Sequence, residues 1–418
     1  MRRFASDGSK ATSTFWMLTV LVVLVACFAL RNATQWYGRP IPGVLVDAGG
    51  AISNIGLPGW ASKKQGLQFP SIIVPLGSEA SRSGSKARVA SWDRAVAQAS
   101  ASGFLDAVVA PAGERRVVRL PVRPLEPTAW WVYAGSCLLA GLLYAGAGLV
   151  ALWASPNGRL ARAFARFAIS SGLFLLCFFD IHTQHTLTPL YFVAYAMLSP
   201  SLVLVMLHLP TPVPLLQRHP WAETVIVALA FGAGLFVSTM HALGADVVRY
   251  QVLFTAMVGG GFSISVLGFL VRYASSRGEQ QRTLRALLIC MVPTYAGVGA
   301  FQVLNSQGVL AGFPDFLLFP AFIFAPLASL YAFVRYDLWG SRALLSRIGT
   351  SIFVGAIACA VAIATGAALA TWMGAAFKDA LGGAIGGGIT AAFLVVLALR
   401  LSDFTLFRAR AEYKPTID

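Results

Sequence analysis

The strongest constraint on this chain is the recurrence of apolar runs, each about 18 residues or longer. Such a run crosses a hydrocarbon core of about 30 Å as a helix. Helices are the expected spanning form because they satisfy their own backbone hydrogen bonds in lipid. The first run is Thr14–Leu30, and nine more are expected at 129–153, 166–184, 189–209, 221–243, 250–272, 286–305, 315–335, 349–373 and 380–400. Charge agrees with this reading. Only 12% of the 418 residues are charged and 57% are hydrophobic, against about 25% charged in a soluble domain. One large soluble domain would lack charge for its surface.

The formal net charge of +15 raises the question of nucleic acid. The basic residues form no single stripe but sit in many short loops, which is the pattern that sets membrane orientation. Arg159, Arg162 and Arg166 lie in one connection and Arg218 in the next on the same side. Arg272, Arg277, Arg282 and Arg285 follow, then Arg335, Arg342 and Arg347, then Arg400, Arg408, Arg410 and Lys414. The alternate loops hold little beyond Arg249 and Lys378. This asymmetry predicts a multi-pass protein of a bacterial inner (plasma) membrane, both termini cytoplasmic and residues 32–127 outside. The lipid bilayer is the expected partner, and nucleic acid is not. Met1–Lys10 followed by the Thr14–Leu30 run reads as an uncleaved anchor, since Phe28-Ala29-Leu30 continue past Cys27 with no polar break.

Residues 32–127 differ in composition, being richer in Gly, Pro, Ser and charge. Ile41–Asp47, Gln68–Leu76, Leu105–Ala110 and Arg116–Val122 read as strands bounded by turn residues, and Ser91–Ala101 as an amphipathic helix. About 95 residues suffice for a small core. The expected architecture is a polytopic α-helical membrane protein of about ten spans carrying one small α+β domain. Its layout is an anchor at 1–31, the domain at 32–127, a seven-span bundle at 128–335, a last pair of spans at 336–400 and a tail at 401–418.

Chemistry-bearing motifs are sparse. The chain has no H-E-x-x-H, no G-x-S-x-G and no P-loop, so no enzyme activity and no cofactor are expected. Its five cysteines all fall inside apolar runs, which argues against a disulfide framework or a zinc site. Asp180, His182 and His185 cluster at the outer end of the third span. They read as an interfacial polar cap, with a pH-sensing or metal-binding role as the alternative. His208 sits near a span end beside Pro210, close enough to the interface to be solvated. Pro293, Pro320 and Pro326 can kink their spans, and Tyr295, Gln302 and Asn305 can hydrogen-bond between helices.

Ile55-Gly56-Leu57-Pro58-Gly59-Trp60, then Gln65-Gly66-Leu67, then Ile72-Ile73-Val74-Pro75-Leu76-Gly77 resembles a bacterial PDZ domain. There a Gly-Leu step precedes a strand with a closing glycine; Pro70-Ser71 stands here in place of the family's Gly-Asp pair. The resemblance implies a PDZ-like fold that binds a peptide or protein by strand addition, with Ile55, Gly56, Leu57, Gly66 and Leu67 as its binding residues. A rigid spacer is the other reading.

A second resemblance covers more of the chain. Trp130-Trp131 opens the second span, Leu207-His208-Leu209-Pro210 ends a later one, and Val334-Arg335-Tyr336-Asp337-Leu338-Trp339 precedes the last pair. Phe407-Arg408-Ala409-Arg410-Ala411-Glu412-Tyr413-Lys414-Pro415-Thr416 follows. This order is similar to the N-terminal sensor half of bacterial histidine kinases of the competence, pheromone-sensing type. The resemblance implies a sensor that detects an extracytoplasmic ligand and passes the change to a cytoplasmic kinase core. It also implies Arg335, Tyr336, Arg408, Arg410, Tyr413 and Pro415 as signal-transmitting residues, and a homodimer. The sequence ends at Asp418 where the family's coiled coil begins, so no kinase activity is expected of these residues. The alternative is a transporter or membrane scaffold that uses the small domain for protein assembly.

Overall fold

The computed structural model describes residues 2–278 apart from 54, 58, 78–84, 111–114, 210 and 244–246, together with scattered positions between 280 and 326. Of the later expected spans, 286–305 is described in part, while 315–335 (save Pro326), 349–373 and 380–400 lie outside the described residues. So do Pro293, Gln302, Asn305, Pro320, Arg335, Tyr336, Arg408, Arg410, Tyr413 and Pro415. Among the described residues, 6 helices are long and apolar enough to cross a membrane.

The first helix, α1 (Arg2–Trp36), outruns the expected anchor at both ends, and its membrane-length part is Ser13–Trp36. After Gly8 it contains no glycine or proline to break it, and it stops where Gly38 takes a left-handed φ of 72°, the usual helix-ending device. Its Val22, Val25 and Ala29 pack against Ile169, Leu173 and Leu176, so it belongs to the bundle.

Behind the small domain come α4 (Pro127–Trp130), a π-turn at Trp131–Gly135 and α5 (Ser136–Ala154). Next are α6 (Arg159–Phe178), α7 (Thr188–His208), short α8 (Pro214–Arg218), α9 (Trp221–Ala242) and α10 (Val247–Ser275). The start of α6 corrects the sequence reading, because Arg159 and Arg162, expected in a loop, are its first turns. Small residues let the helices touch. A Cβ on Gly172 would lie 2.7 Å from the Gly141 carbonyl oxygen, and one on Gly148 would lie 3.0 Å from that of Ala165. Close approach of this kind is how helices associate where lipid removes the hydrophobic drive. Gly234 meets Val193, Gly261 meets Ser199 and Gly268 meets Met206, which brings α9 and α10 onto α7.

The inserted unit is α+β. Strands β2 (Ile72–Pro75), β3 (Phe104–Ala110) and β4 (Arg116–Pro121) form an antiparallel sheet in the order β2-β3-β4. A separate pair joins β1 (Pro40–Ile41) to β5 (Arg123–Pro124). The short α2 (Ala61–Lys64) and the longer α3 (Ser85–Ser102) complete it. Leu105, Ala107 and Val109 alternate inward along β3 and meet Val96, Ile73, Leu67 and Leu120, as a half-buried strand requires. Two expected strands are shorter than read. Of 41–47 only Ile41 is in a strand, with Val46 making an isolated bridge to Ile52, and of 68–76 only Ile72–Pro75 is. The expected helix begins earlier, at Ser85.

The β1–β5 pair closes the unit's entry and exit together. Just beyond it the rings of Tyr37 and Trp130 lie 5.9 Å apart, and Trp130 Nε1 donates to the Ala33 carbonyl at 2.7 Å. The unit is thereby seated on one end of the bundle.

Candidate functional site at the joint

That end of the bundle is organised around a buried carboxylate. Asp180 is 1% exposed, and a charge so placed needs donors. Asn32 Nδ2, from the end of α1, donates to Asp180 Oδ1 at 3.1 Å and to Thr183 Oγ1 at 3.0 Å. The Leu187 amide donates to Asp180 Oδ2 at 2.6 Å. Gln184 Nε2 also reaches Gln35 Oε1 at 2.7 Å. The loop after α6 is thus fastened to the last turns of α1, just before the chain enters the α+β unit.

Between this loop and the α+β unit lies a cavity of about 270 Å³. Trp92, Asp93 and Val96 of α3 and the 39–46 segment wall one side. Trp36, Tyr133, Phe179, His182 and His185 of the bundle wall the other. Trp60 leans on Tyr133 with ring centroids 5.1 Å apart, and the Arg39 guanidinium stands 5.6 Å over the Trp36 ring. Partial desolvation raises the Asp93 pKa, with Arg39 pulling it back. Two buried polar atoms on these walls have no hydrogen-bond partner, the Trp36 indole nitrogen and His185 Nδ1. Buried polar atoms in folded proteins are almost always partnered, so these two mark strain at the joint in the seating described here.

His185 occupies the centre. Its backbone is left-handed, with φ of 59°, a conformation uncommon for non-glycine residues and costly unless its surroundings enforce it. Its amide donates to the Asp180 carbonyl at 2.8 Å, and its own carbonyl accepts from Thr188 Oγ1 at 3.0 Å. Burial pushes the His185 imidazole down to about 4, opposed by Asp47 and reinforced by His182 and His241. Asp47 belongs to the α+β unit, where its Oδ1 accepts the amides of Gly49 and Ala51 at 2.8 and 2.9 Å. Its field therefore crosses the joint.

The geometry of Asp180, His182 and His185 bears on the metal alternative. Among the described residues no group of three potential ligands is placed to hold a metal ion. Asp180 is taken by Asn32 and Leu187, and His182 Nδ1 lies 3.0 Å from the Phe178 carbonyl. Only His182 and His185 reach the cavity.

Of the residues expected to bind peptide, Leu57 is half-buried on irregular backbone. Leu67 and Ile55 are buried, Leu67 within the sheet's core. Gly66 makes a left-handed turn at φ 61°, and a Cβ on Gly56 would lie 2.5 Å from Ser62 Oγ. Strand addition at β2 meets an occupied edge. Ile73 N donates to the Gly50 carbonyl and Ile52 N to that of Ser71, each at 2.9 Å.

At the opposite end of the bundle, His208 is 2% exposed, which corrects its expected solvation. Its Nε2 lies 3.4 Å from Glu223 Oε2, and Glu223 also pairs with Arg166. Arg272 Nη2 donates to the Thr211 carbonyl at 2.5 Å. The Tyr295 hydroxyl lies 3.3 Å from that of Tyr144, the interhelical link expected of it. The residues that sequence reading missed are Asn32, Trp36, Arg39, Asp47 and Trp92. Each is ordinary alone, and they are scattered over sixty positions that only the fold gathers.

No family model, curated protein or solved structure matches this chain.

Proposed function

We propose that this chain is the signal-input part of a membrane receptor, and that its ligand occupies the joint cavity. The observation that carries the reading is a cavity at the joint walled on one side by the bundle, with Trp36, Tyr133 and His185, and on the other by the α+β unit, with Trp60 and Trp92. The ligand is a small amphiphile or the end of a peptide. It lays an apolar body against Trp36, Trp60, Trp92 and Tyr133 and turns a polar end toward the His182 and His185 side. At about 270 Å³ the cavity lies just below the usual span of ligand pockets, about 300–1,000 Å³, which restricts the ligand to a small molecule or a short chain end.

The α+β unit faces the outside of a bacterial inner membrane, and both termini are cytoplasmic. The arginines at the far end of the bundle support this. A ligand at the joint favours one seating of the unit over another, which it does only by binding the two seatings unequally. The α1–loop–α6 fastening through Asn32 and Asp180 carries the difference along α6 to the arginine end. From there a cytoplasmic output takes it up, a kinase core or partner in a homodimer, as the resemblance of the 407–416 segment implies.

Tryptophan fluorescence of the full chain in nanodiscs, titrated with short peptides and small amphiphiles, tests this. Saturable quenching is expected with at least one of them. It should vanish in Ala97→Phe, which fills the cavity from α3. Hydrogen exchange over 159–178 should change on binding. A ligand that binds equally well to Ala97→Phe, or that leaves exchange in α6 unaltered, overturns the reading.

A further inference from the structure

A second cavity, of about 690 Å³, opens at the arginine end of the bundle between α1, α6, α7 and α9. Along α6 its lining runs from Arg159 to Leu173, roughly 20 Å at 1.5 Å per residue. The two ends of that length differ in chemistry. At the mouth stand Arg159, Arg162 and Arg166, spaced to share one helix face. Deeper, the walls are apolar, with Leu18 of α1, Leu173 of α6 and Met197 of α7 among them. Glu223 engages Arg166. Arg159 and Arg162 are exposed, and among the described residues neither has an acidic partner. The first turn of α6 contains no acidic residue, so these cations crowd the positive end of a helix dipole. An anion held there relieves both repulsions.

We infer that this cavity binds an anionic phospholipid, its phosphate on Arg159 and Arg162 and an acyl chain along the apolar wall. Basic pockets between membrane helices select anionic headgroups in this way. A free anion would use the arginines and leave the apolar wall from Leu18 to Met197 unfilled, whereas a lipid uses both. The site is independent of the joint, and neither proposal needs the other.

Native mass spectrometry of the full-length chain released from detergent tests the assignment. The probes are phosphatidylglycerol and phosphatidylcholine with the same acyl chains. Phosphatidylglycerol should bind at least tenfold more tightly. Arg159→Gln with Arg162→Gln should weaken it by roughly thirtyfold. Leu18→Trp, which narrows the apolar part, should reduce binding of both lipids. Arg218→Gln, in α8 and outside the cavity, should change nothing. Equal binding of the two lipids overturns the proposal, as does a preference retained by the Arg159/Arg162 variant. Displacement of phosphatidylglycerol by millimolar inorganic phosphate, with Leu18→Trp neutral, would assign the arginines to a free anion instead. The arginine substitutions are at exposed side chains, so an unchanged thermal midpoint in detergent shows that they act on binding.

Discussion

A carboxylate removed from water has to be met by donors, and at Asp180 one of them is the amide of Asn32, 148 positions away. Asn32→Leu would leave Asp180 Oδ1 and Thr183 short of a donor. The expected cost is about 1–3 kcal/mol, read as a lower thermal midpoint in detergent. Asn32→Asp should cost more, because it sets a second carboxylate beside the first. His185 gives a pH signature. Its folded pKa, near 4, lies below the ordinary value of 6.5. Between those values the unfolded chain binds more protons, so stability falls as pH falls. The contribution is whole above about pH 6.5 and is lost as pH drops through about 4. Thermal midpoints from pH 7 to pH 4 should therefore decline more steeply for the natural chain than for His185→Gln. Parallel profiles would show that His185 does not titrate in this way.

At the level of the helices, α5 and α6 are held by absence of side chains. Gly172 faces the Gly141 carbonyl at a distance that admits no Cβ, whereas a Cβ on Gly146 would meet nothing within 4 Å. Gly172→Ala should destabilise by about 1–3 kcal/mol through overpacking. Gly146→Ala should be neutral or slightly stabilising, since alanine is the better helix former. Thermal unfolding of the pair distinguishes close packing from a general intolerance of substitution. The elements themselves were legible to different degrees. The cores of α5, α6, α7, α9 and α10 follow from apolar length alone, and the ends of α7 and α9 fall within a residue of the expected spans, whereas α6 starts seven residues early. Charge at Arg159 and Arg162 marks the end of the hydrocarbon, not the end of the helix, because a helix turn outside the hydrocarbon carries charge freely. In the α+β unit the apolar runs at 41–47 and 68–76 exceeded the strands they contain. Apolar residues such as Val44 and Leu67 reach the core from irregular backbone, so burial there did not imply a ladder.

For the whole molecule, the loop arginines predict the orientation, and single cysteines test it. In a chain otherwise lacking cysteine, Gln98→Cys, exposed on α3, should react with a membrane-impermeant maleimide in intact cells. Asn157→Cys, between α5 and α6, should react only after permeabilisation. The reverse pattern would invert the topology and place the joint cavity in the cytoplasm. The sequence by itself determined that the chain is a helical membrane protein with an inserted α+β unit. Hydrophobic length and composition are properties of contiguous residues, and they survive without coordinates. The site was legible only as the fragment Asp180–His185, and spacing along a chain does not show that Asp180 turns to Asn32 while His182 and His185 line the cavity. Only the tertiary structure decided that Trp36, Trp92, Asp93 and His185 share one cavity. It also decided that β2 has its edge filled by residues 50–52, and that among the described residues Arg166 has an acidic partner while Arg159 and Arg162 have none. Those facts depend on contacts between residues tens of positions apart, and no local pattern encodes such contacts.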